Sequence, residues 1–218
     1  MGWIRNFYRS TIGKKVVMAV TGLIGVGFVC GHLLGNLLVF KGPEAINSWG
    51  ELLKSNTALL WTVRVTMLTV LTLHVSAAYS LTMLNRRARP ADYDRQVRQS
   101  STLSALTLRV GGVILLAFIV FHLLQFTTGT VHPAFSPTDV YGNMVIGFGS
   151  VAVVGFYLLA MASLGLHLHH GLWSFFQTMG WNHPHLNPAR RRLAMFLAIV
   201  VGAGFSVIPL AVAFGLVQ

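Results

Sequence analysis

The sequence predicts an all-α integral membrane protein, a bundle of five transmembrane helices. Hydrophobic residues make up 54% of the 218 residues and charged residues only 10%, a balance unlike that of an ordinary soluble domain. The apolar residues form five stretches, each long enough to cross about 30 Å of hydrocarbon. We expect these spans at about 15–40, 58–84, 104–128, 144–177 and 191–216. Little chain is left over, so residues 1–218 are expected to form one domain with no soluble catalytic module.

The positive charges are unevenly spread and predict the orientation of the bundle. The net charge is +11. Only Lys41, Lys54 and Arg64 fall towards one side of the membrane, and the other side receives Arg5, Arg9, Lys14, Lys15, Arg86, Arg87, Arg89, Arg95, Arg98, Arg109, Arg190, Arg191 and Arg192. Basic segments stay in the cytoplasm, so we expect a cell (inner) membrane protein with a cytoplasmic N-terminus and an external C-terminus. The charges suit anionic membrane lipid rather than nucleic acid.

Short polar segments separate the five stretches and mark where the helices end. Before the first stretch, Trp3 and Phe7 interleave with arginines, as in an amphipathic segment at the membrane interface. The first stretch is too long and too rich in glycine for the core of a signal peptide, so we expect a permanent anchor. The connections, marked by glycine, proline and charge, are predicted at 44–57, 86–101, 129–142 and 182–188.

The cysteine content excludes several redox centres. Cys30 is the only cysteine in the chain. It cannot form a cluster for iron–sulfur or zinc, and no Cys-x-x-Cys-His motif is present for covalent attachment of haem. Iron–sulfur clusters that serve this protein must therefore belong to another subunit.

Four of the five stretches carry a histidine near one end: His32, His74, His122 and His167. Successive spans run in opposite directions, and each residue advances an α-helix by about 1.5 Å. Counting along each span gives His32 and His122 one level near the outer face, and His74 and His167 another near the inner face. The two levels are predicted to lie about 15–20 Å apart.

The paired histidines point to two haem groups. An imidazole is costly in hydrocarbon, and a histidine within the membrane usually has a partner. Haem iron accepts axial histidine ligands, and facing helices of a bundle can supply one from each side. We therefore expect the bundle to enclose two b haems, one held by His32 with His122 and the other by His74 with His167.

Two other classes of protein remain open on the residues alone. The histidines could be hydrogen-bonded packing residues of a haem-free membrane scaffold, or they could belong to a transporter. Coupled cation transport normally uses a carboxylate within the membrane. All five acidic residues fall in predicted connections: Glu44, Glu51, Asp92, Asp94 and Asp139. This distribution weighs against transport.

A second histidine close to His167 leaves the inner ligand open. His167 and His170 are three residues apart and share a helix face, so either could bind iron while the other contacts a haem propionate or a lipid phosphate. Ser174 is a further candidate for the inner propionates, and Arg64 is the candidate for the outer ones. Positive charge beside a propionate raises the reduction potential, because it favours the added electron.

Several motifs resemble one family, and the resemblance covers essentially the whole chain. They are Gly13-Lys14-Lys15 and Thr21-Gly22 before His32, Gly35-Asn36-Leu37 after it, Pro43 with Asn47, and the stretch HLHHGLWSFFQTMG at 167–180. The chain is similar in these motifs to the di-haem cytochrome b membrane anchors of succinate dehydrogenases and fumarate reductases, of the type with a single five-helix subunit. In that family the fourth ligand is the histidine four residues before the glycine, which corresponds to His167.

The resemblance implies a role inside a larger complex. A flavoprotein subunit with FAD and an iron–sulfur subunit would dock on the cytoplasmic face, and electrons would pass between succinate and a membrane quinone, either menaquinone or ubiquinone. The chain would bind the two haems and quinone but would contain no dicarboxylate site. A di-haem anchor of another dehydrogenase or of a hydrogenase is the alternative.

The quinone site is predicted at the first outer connection. Quinone reduction takes protons as well as electrons, so the site needs a nearby haem edge and a proton path at an interface. Trp49 offers an aromatic wall, Glu51 a proton carrier and Lys54 a donor to a quinone carbonyl. The inner face near Trp173 is the rival location.

Overall fold

The computed structural model describes residues 2–88 and 103–218, and within these ranges every regular element is helical. The helices are α1 (Gly2–Arg9), α2 (Thr11–Asn36), α3 (Pro43–Ser55), α4 (Thr57–Arg87), α5 (Leu103–Phe126), α6 (Val140–Gly147), α7 (Val151–Thr178) and α8 (Asn187–Ala213), with a 3-10 turn over Leu37–Lys41. Arg89, Arg95 and Arg98, which belong to the orientation argument, and Asp92 and Asp94 lie outside the described residues.

Five of the helical segments are long and apolar enough to cross a membrane. They are Thr11–Lys41, Thr57–Arg87, Thr107–Phe126, Val151–Thr178 and Asn187–Ala213. Large apolar side chains such as Leu68, Val113 and Ile199 are exposed on these helices, as expected of surfaces that face lipid. A helix satisfies its backbone hydrogen bonds internally, which is what the hydrocarbon layer requires. The prediction of an all-α membrane protein with five spans is confirmed.

The fourth span begins later than the sequence suggested. We expected one helix over about 144–177, whereas the structure has the short helix α6, which ends at Gly147, and a separate span that begins at Val151. Phe148 closes α6, and Ser150 is extended before α7. Glycine is a poor helix former, and Gly147 and Gly149 flank this break. The run of apolar residues through Phe148 concealed the break in the sequence.

The later start of α7 improves the agreement in depth within one histidine pair. His74 lies 17 residues after Thr57, the first residue of α4. His167 lies 16 residues after Val151, the first residue of α7. The two histidines are therefore equally deep in helices that run in the same direction, as the pairing argument requires.

The first outer connection, expected at 44–57, is itself helical. Gly42 has a φ of 98°, a value that favours glycine, and Pro43 opens α3 in its first turn, where a missing N–H is tolerated. Asn47 ties α3 to the start of α6. Its amide nitrogen donates to Asp139 at 3.0 Å, and its amide oxygen accepts from the Tyr141 backbone at 3.0 Å. The connection that contains α3 and the start of α6 are thus joined by hydrogen bonds at this end of the bundle.

The four helices that carry the histidine pairs form an open ring. Helix α2 packs against α4 on one side and α7 on the other, α7 packs against α5, and α8 lies along α7 and touches α2. Helices α2 and α5 are therefore diagonally opposite, as are α4 and α7. Among the described residues, neither diagonal pair makes more than slight backbone contact, and the same is true of α4 with α5.

Small residues allow α7 and α8 to pack closely. Ala160 and Ala194 are fully buried, and the two backbones meet at Gly165 and Gly202. A Cβ added to Gly202 would lie 3.4 Å from the Met161 carbonyl oxygen and 3.7 Å from Gly165 Cα. Between helices in a membrane the attraction comes from such van der Waals packing, because lipid tails are as apolar as the side chains.

We expect Gly202→Leu to destabilise the α7–α8 pair. The new side chain would meet backbone atoms that cannot move aside, and overpacking of this kind costs about 1–3 kcal/mol. Gly155→Leu on α7 is the matched control, because a Cβ there would meet nothing within 4 Å. The measurement is the midpoint of thermal unfolding of each purified variant in detergent. Equal midpoints for the two variants would contradict the packing account.

Candidate functional site

The structure brings the four predicted histidines together in two pairs. The ring centroids of His32 on α2 and His122 on α5, the outer pair, are 5.8 Å apart. Those of His74 on α4 and His167 on α7, the inner pair, are 6.1 Å apart. Each pair spans a diagonal of the helix ring, between helices whose backbones are not in close contact. These are the pairings expected from depth, and their role as iron ligands remains a prediction.

Two contacts give the separation between the pairs along the helices. On α2, the Thr21 hydroxyl contacts His74 of the inner pair, 11 residues before His32. On α7, the Tyr157 hydroxyl contacts the outer pair, 10 residues before His167. At about 1.5 Å per residue, the two helices give separations of about 15–17 Å. Two independent helices thus agree, within the expected range.

The donor set fits haem better than a bare metal ion. Among the described residues, no group of three or more histidine, cysteine or acidic residues could hold a metal. Two histidines leave a bare ion such as zinc short of its usual four ligands, whereas a porphyrin supplies the remaining ligands of haem iron. Two imidazoles bound on opposite sides of a metal at about 2 Å have centroids about 6 Å apart, as both pairs have.

A buried hydrogen-bond chain fixes the ring of His122. The Gln125 side chain donates from Nε2 to the Gly147 carbonyl at 3.0 Å, so its Oε1 is available to Tyr157. The Tyr157 hydroxyl donates to that oxygen at 2.9 Å, and its own oxygen lies 3.1 Å from His122 Nδ1. Because the hydroxyl proton is used on Gln125, Nδ1 must be the donor. The His122 Nε2 is then unprotonated and able to bind a metal.

Thr21 orients the His74 ring in a similar way, through a hydrogen bond to Nδ1. The Thr21 hydroxyl donates to the Val17 carbonyl at 2.6 Å, and its oxygen lies 3.0 Å from His74 Nδ1. The Nδ1–H therefore donates to Thr21 and leaves Nε2 free. A Cβ at Gly22 would lie 3.5 Å from His74 Cε1, so both residues of the Thr21-Gly22 motif contact this ring.

The other member of each pair has fewer polar contacts. Asn36 Nδ2 donates to the His32 carbonyl at 2.7 Å and lies 3.3 Å from the ring nitrogen Nδ1 of His32. The His32 ring also stacks on the Phe28 ring. The buried Nδ1 of His167 has no hydrogen-bond partner. A buried polar atom without a partner costs about 1–3 kcal/mol, and His167 lacks the Nδ1 contact that orients His74 and His122.

The structure distinguishes the two candidate inner histidines by what each one faces. His167 lies across from His74, whereas His170 Nε2 lies 3.1 Å from the Ser174 hydroxyl on its own helix. The sequence had left the choice between them open on spacing alone. Their placement favours His167 as the ligand and leaves His170 and Ser174 together one turn nearer the end of α7.

Arg64 lies on α4, ten residues before His74 and towards the outer end of the span. It is half-buried, with its guanidinium 5.2 Å from the Trp61 ring centroid. An arginine within a membrane span is costly and normally pairs with a polar partner. The cation–π contact with Trp61 satisfies only part of that need, so an anion near this position would be stabilised.

The predicted quinone residues on α3 have different surroundings. Trp49 packs against α2, where a Cβ at Gly35 would lie 2.6 Å from its Nε1. Lys54 Nζ donates to the Pro137 carbonyl, and Glu51 is exposed. Of the three, Trp49 is the one in contact with α2 near the outer pair, since Gly35 lies three residues after His32.

Arginines and aromatic rings combine at the end where α7 ends and α8 begins. The Arg191 guanidinium lies 4.4 Å from the Trp173 ring centroid, and that of Arg190 lies 5.4 Å from the Phe176 ring. Arg190 also donates to the Trp181 carbonyl. Cation–π contacts of this kind hold guanidinium groups against aromatic faces and give this end a basic, aromatic surface.

Sequence reasoning missed the residues that orient the histidines. Thr21 was noted only as part of a motif, and Tyr157 and Gln125 were not singled out. A usable signal existed, because a glutamine and a tyrosine inside apolar stretches must find partners within the protein. Their contacts join separate helices, however, and spacing along one helix cannot identify such contacts.

Comparison with known proteins gives one informative similarity. No protein-family model matches the chain, and no solved structure matches it. Among curated proteins, the chain is similar to the succinate dehydrogenase cytochrome b558 subunit of Bacillus subtilis (strain 168). The two are 27% identical over 200 residues, which cover 91% of this chain and 94% of the relative.

The similarity is almost as long as either chain, so it concerns the whole helical bundle rather than one motif. It agrees with the five membrane spans and with the family motifs read from the sequence. These observations together support the similarity of the chain to succinate dehydrogenase cytochrome b membrane anchors.

Proposed function

We propose that the chain is the di-haem b anchor of a succinate:quinone oxidoreductase and carries electrons between an iron–sulfur subunit and membrane quinone. The observation that supports this most strongly is the presence of two histidine pairs at two levels, with ring centroids 5.8 and 6.1 Å apart. Haem supplies reversible one-electron chemistry at each level. Two such carriers, about 15–17 Å apart along the helices, would together cover much of the bilayer.

In this proposal the chain holds each haem b by two imidazoles. Hydrogen bonds from other side chains orient these imidazole rings. His32 and His122 are the outer ligands, and His74 and His167 are the inner ones. Hydrogen bonds from ligand Nδ1 atoms fix the tautomer that presents Nε2 to the iron. Arg64 serves the outer propionates as a cation, and His170 with Ser174 serves the inner propionates as hydrogen-bonding groups.

The partners we propose are a flavoprotein subunit with FAD and an iron–sulfur subunit, docked on the cytoplasmic face. That face is the end rich in arginine, including the Arg190–Arg192 run beside Trp173. The dicarboxylate chemistry belongs to those partners. A complex purified through this chain that lacked flavin would contradict the proposal and favour an anchor of another kind of enzyme.

The quinone, menaquinone or ubiquinone, is proposed to bind at the outer end beside Trp49. Glu51 is exposed one helical turn or less from Trp49 and is suited to carry protons from outside. Lys54 is bonded to the Pro137 carbonyl, so it would have to exchange that contact to reach a quinone. Binding at the inner end near Trp173 is the alternative, and the Glu51 experiment below separates the two.

Replacing single ligands should remove one haem at a time. His32→Ala and His122→Ala should both lose the outer haem, and His74→Ala and His167→Ala should both lose the inner one, because each iron needs both imidazoles. The measurement is haem content and the reduced-minus-oxidised spectrum of each purified complex. His185→Ala, in the exposed turn after α7, is the control and should keep both haems.

The same series can refute the pairing. Loss of one and the same haem in His32→Ala and His74→Ala would be incompatible with the two diagonals. A complete spectrum in His167→Ala with a loss in His170→Ala would transfer the inner ligand role to His170.

We expect Arg64→Leu to lower the reduction potential of the outer haem. Removing a cation near the propionates disfavours the added electron, whereas Arg64→Lys keeps the charge and should have a smaller effect. Potentiometric titration of the complex measures both haems, and the inner one serves as the internal reference. An unchanged outer potential in Arg64→Leu would remove Arg64 from this role.

Glu51→Gln should slow quinone turnover and leave succinate oxidation by a soluble dye intact. The amide keeps the size of the side chain but cannot carry a proton, and the dye takes its electrons before they reach the quinone. Glu44→Gln, at an exposed glutamate in the first turn of the same helix, is the matched control. Full quinone turnover in Glu51→Gln would exclude this carboxylate and leave the inner end as the quinone site.

A further inference from the structure

Tyr157 and Gln125 are buried polar side chains whose effect on the redox properties of the outer site the proposed function does not specify. Tyr157 is 5% exposed and Gln125 is 1% exposed. Both lie in membrane spans, where leaving a hydroxyl or an amide unpaired is costly. Apolar residues of similar size would fill the same space without that risk. The presence of two polar side chains at these positions therefore indicates that their polar atoms have a role.

The polar atoms form a chain with one direction. Gln125 is fixed by its bond to the Gly147 carbonyl, it accepts the Tyr157 hydroxyl, and Tyr157 accepts the N–H of His122. Each donated bond makes the next oxygen a better acceptor. The bond at His122 Nδ1 is therefore strengthened by the two bonds behind it.

A histidine that donates its second N–H becomes a stronger ligand. The bond moves electron density towards Nε2 and raises the basicity of the imidazole. A more basic axial ligand stabilises ferric haem more than ferrous haem, and this lowers the reduction potential of that haem. The effect is local to the haem whose ligand is bonded.

The inner pair lacks a chain of this kind. The His74 partner is the Thr21 hydroxyl, which donates to a carbonyl of its own helix, and the buried His167 Nδ1 has no hydrogen-bond partner. The hydrogen bonds that support the histidines therefore differ between the two proposed haem sites.

We propose that Tyr157, held by Gln125, is a positioning residue for the outer haem. It keeps His122 in the tautomer that binds iron and sets the potential of the outer haem below the value that an unbonded ligand would give. This inference rests on the proposed function, because it requires an outer haem bound by His122.

The structure offers a substitution that separates this role from packing. The Tyr157 ring meets the Phe148 and Phe118 rings edge to face, with centroids 4.8 and 4.9 Å apart. Tyr157→Phe keeps the ring and removes only the hydroxyl. Tyr79→Phe is the matched control, because Tyr79 is 66% exposed on α4 and loses the same atom.

The test is a potentiometric titration of both haems in the intact complex, with electron paramagnetic resonance of the oxidised state. In Tyr157→Phe the outer haem should titrate at a higher potential, so that at a fixed potential its reduced-to-oxidised ratio rises about two- to tenfold, the range of one hydrogen bond. The g values of the oxidised outer haem in the electron paramagnetic resonance spectrum should shift too. The inner haem and Tyr79→Phe should match the wild type.

Gln125→Met tests the second link of the chain. It removes the acceptor of the Tyr157 hydroxyl and should shift the outer haem in the same direction. The double variant should shift it by less than the sum of the single shifts, because both substitutions break one chain. If Tyr157→Phe fails to bind the outer haem, Gln125→Met, which retains the tyrosine, carries the measurement.

The outcomes separate the inference from the proposed function. An outer haem with the same potential and resonance in Tyr157→Phe as in Tyr79→Phe overturns the inference alone, since the haem is still there. A wild-type complex without an outer haem overturns the proposed function and the inference with it.

Discussion

A polar group inside the hydrocarbon layer must find its partner within the protein, because no water is present to serve as one. Hydroxyl groups in the spans solve this locally, as Thr72 and Ser206 do by donating to the carbonyl one turn back. An imidazole has two ring nitrogens and cannot satisfy both in this way. His74 and His122 use Nδ1 on a hydroxyl group of a neighbouring helix. Their other nitrogens are left to the space inside the ring of helices.

This constraint explains the arrangement of the helices. The chain keeps α2 away from α5 and α4 away from α7, and it joins the remaining neighbours through close packing, as at Gly165 and Gly202. The histidines of each pair thus face one another across a diagonal.

The sequence predicted the spans, the two levels and the pairing of His32 with His122, because these depend on length, direction and rise per residue. It did not predict the break before Val151, since apolar residues continue through Phe148. Nor did it find Tyr157 as the partner of His122, because that contact joins two helices. The quinone residues were chosen by proximity in sequence, and Trp49 and Lys54 in fact contact different elements.

Electron transfer through the two histidine pairs requires two haems bound within one chain. The most direct measurement is the haem content of the intact complex, together with its absorption spectrum before and after reduction by succinate. Two b haems per chain, both six-coordinate and both affected by succinate or a stronger reductant, are the predicted result. A single haem per chain, or none, would contradict the assignment of the two histidine pairs.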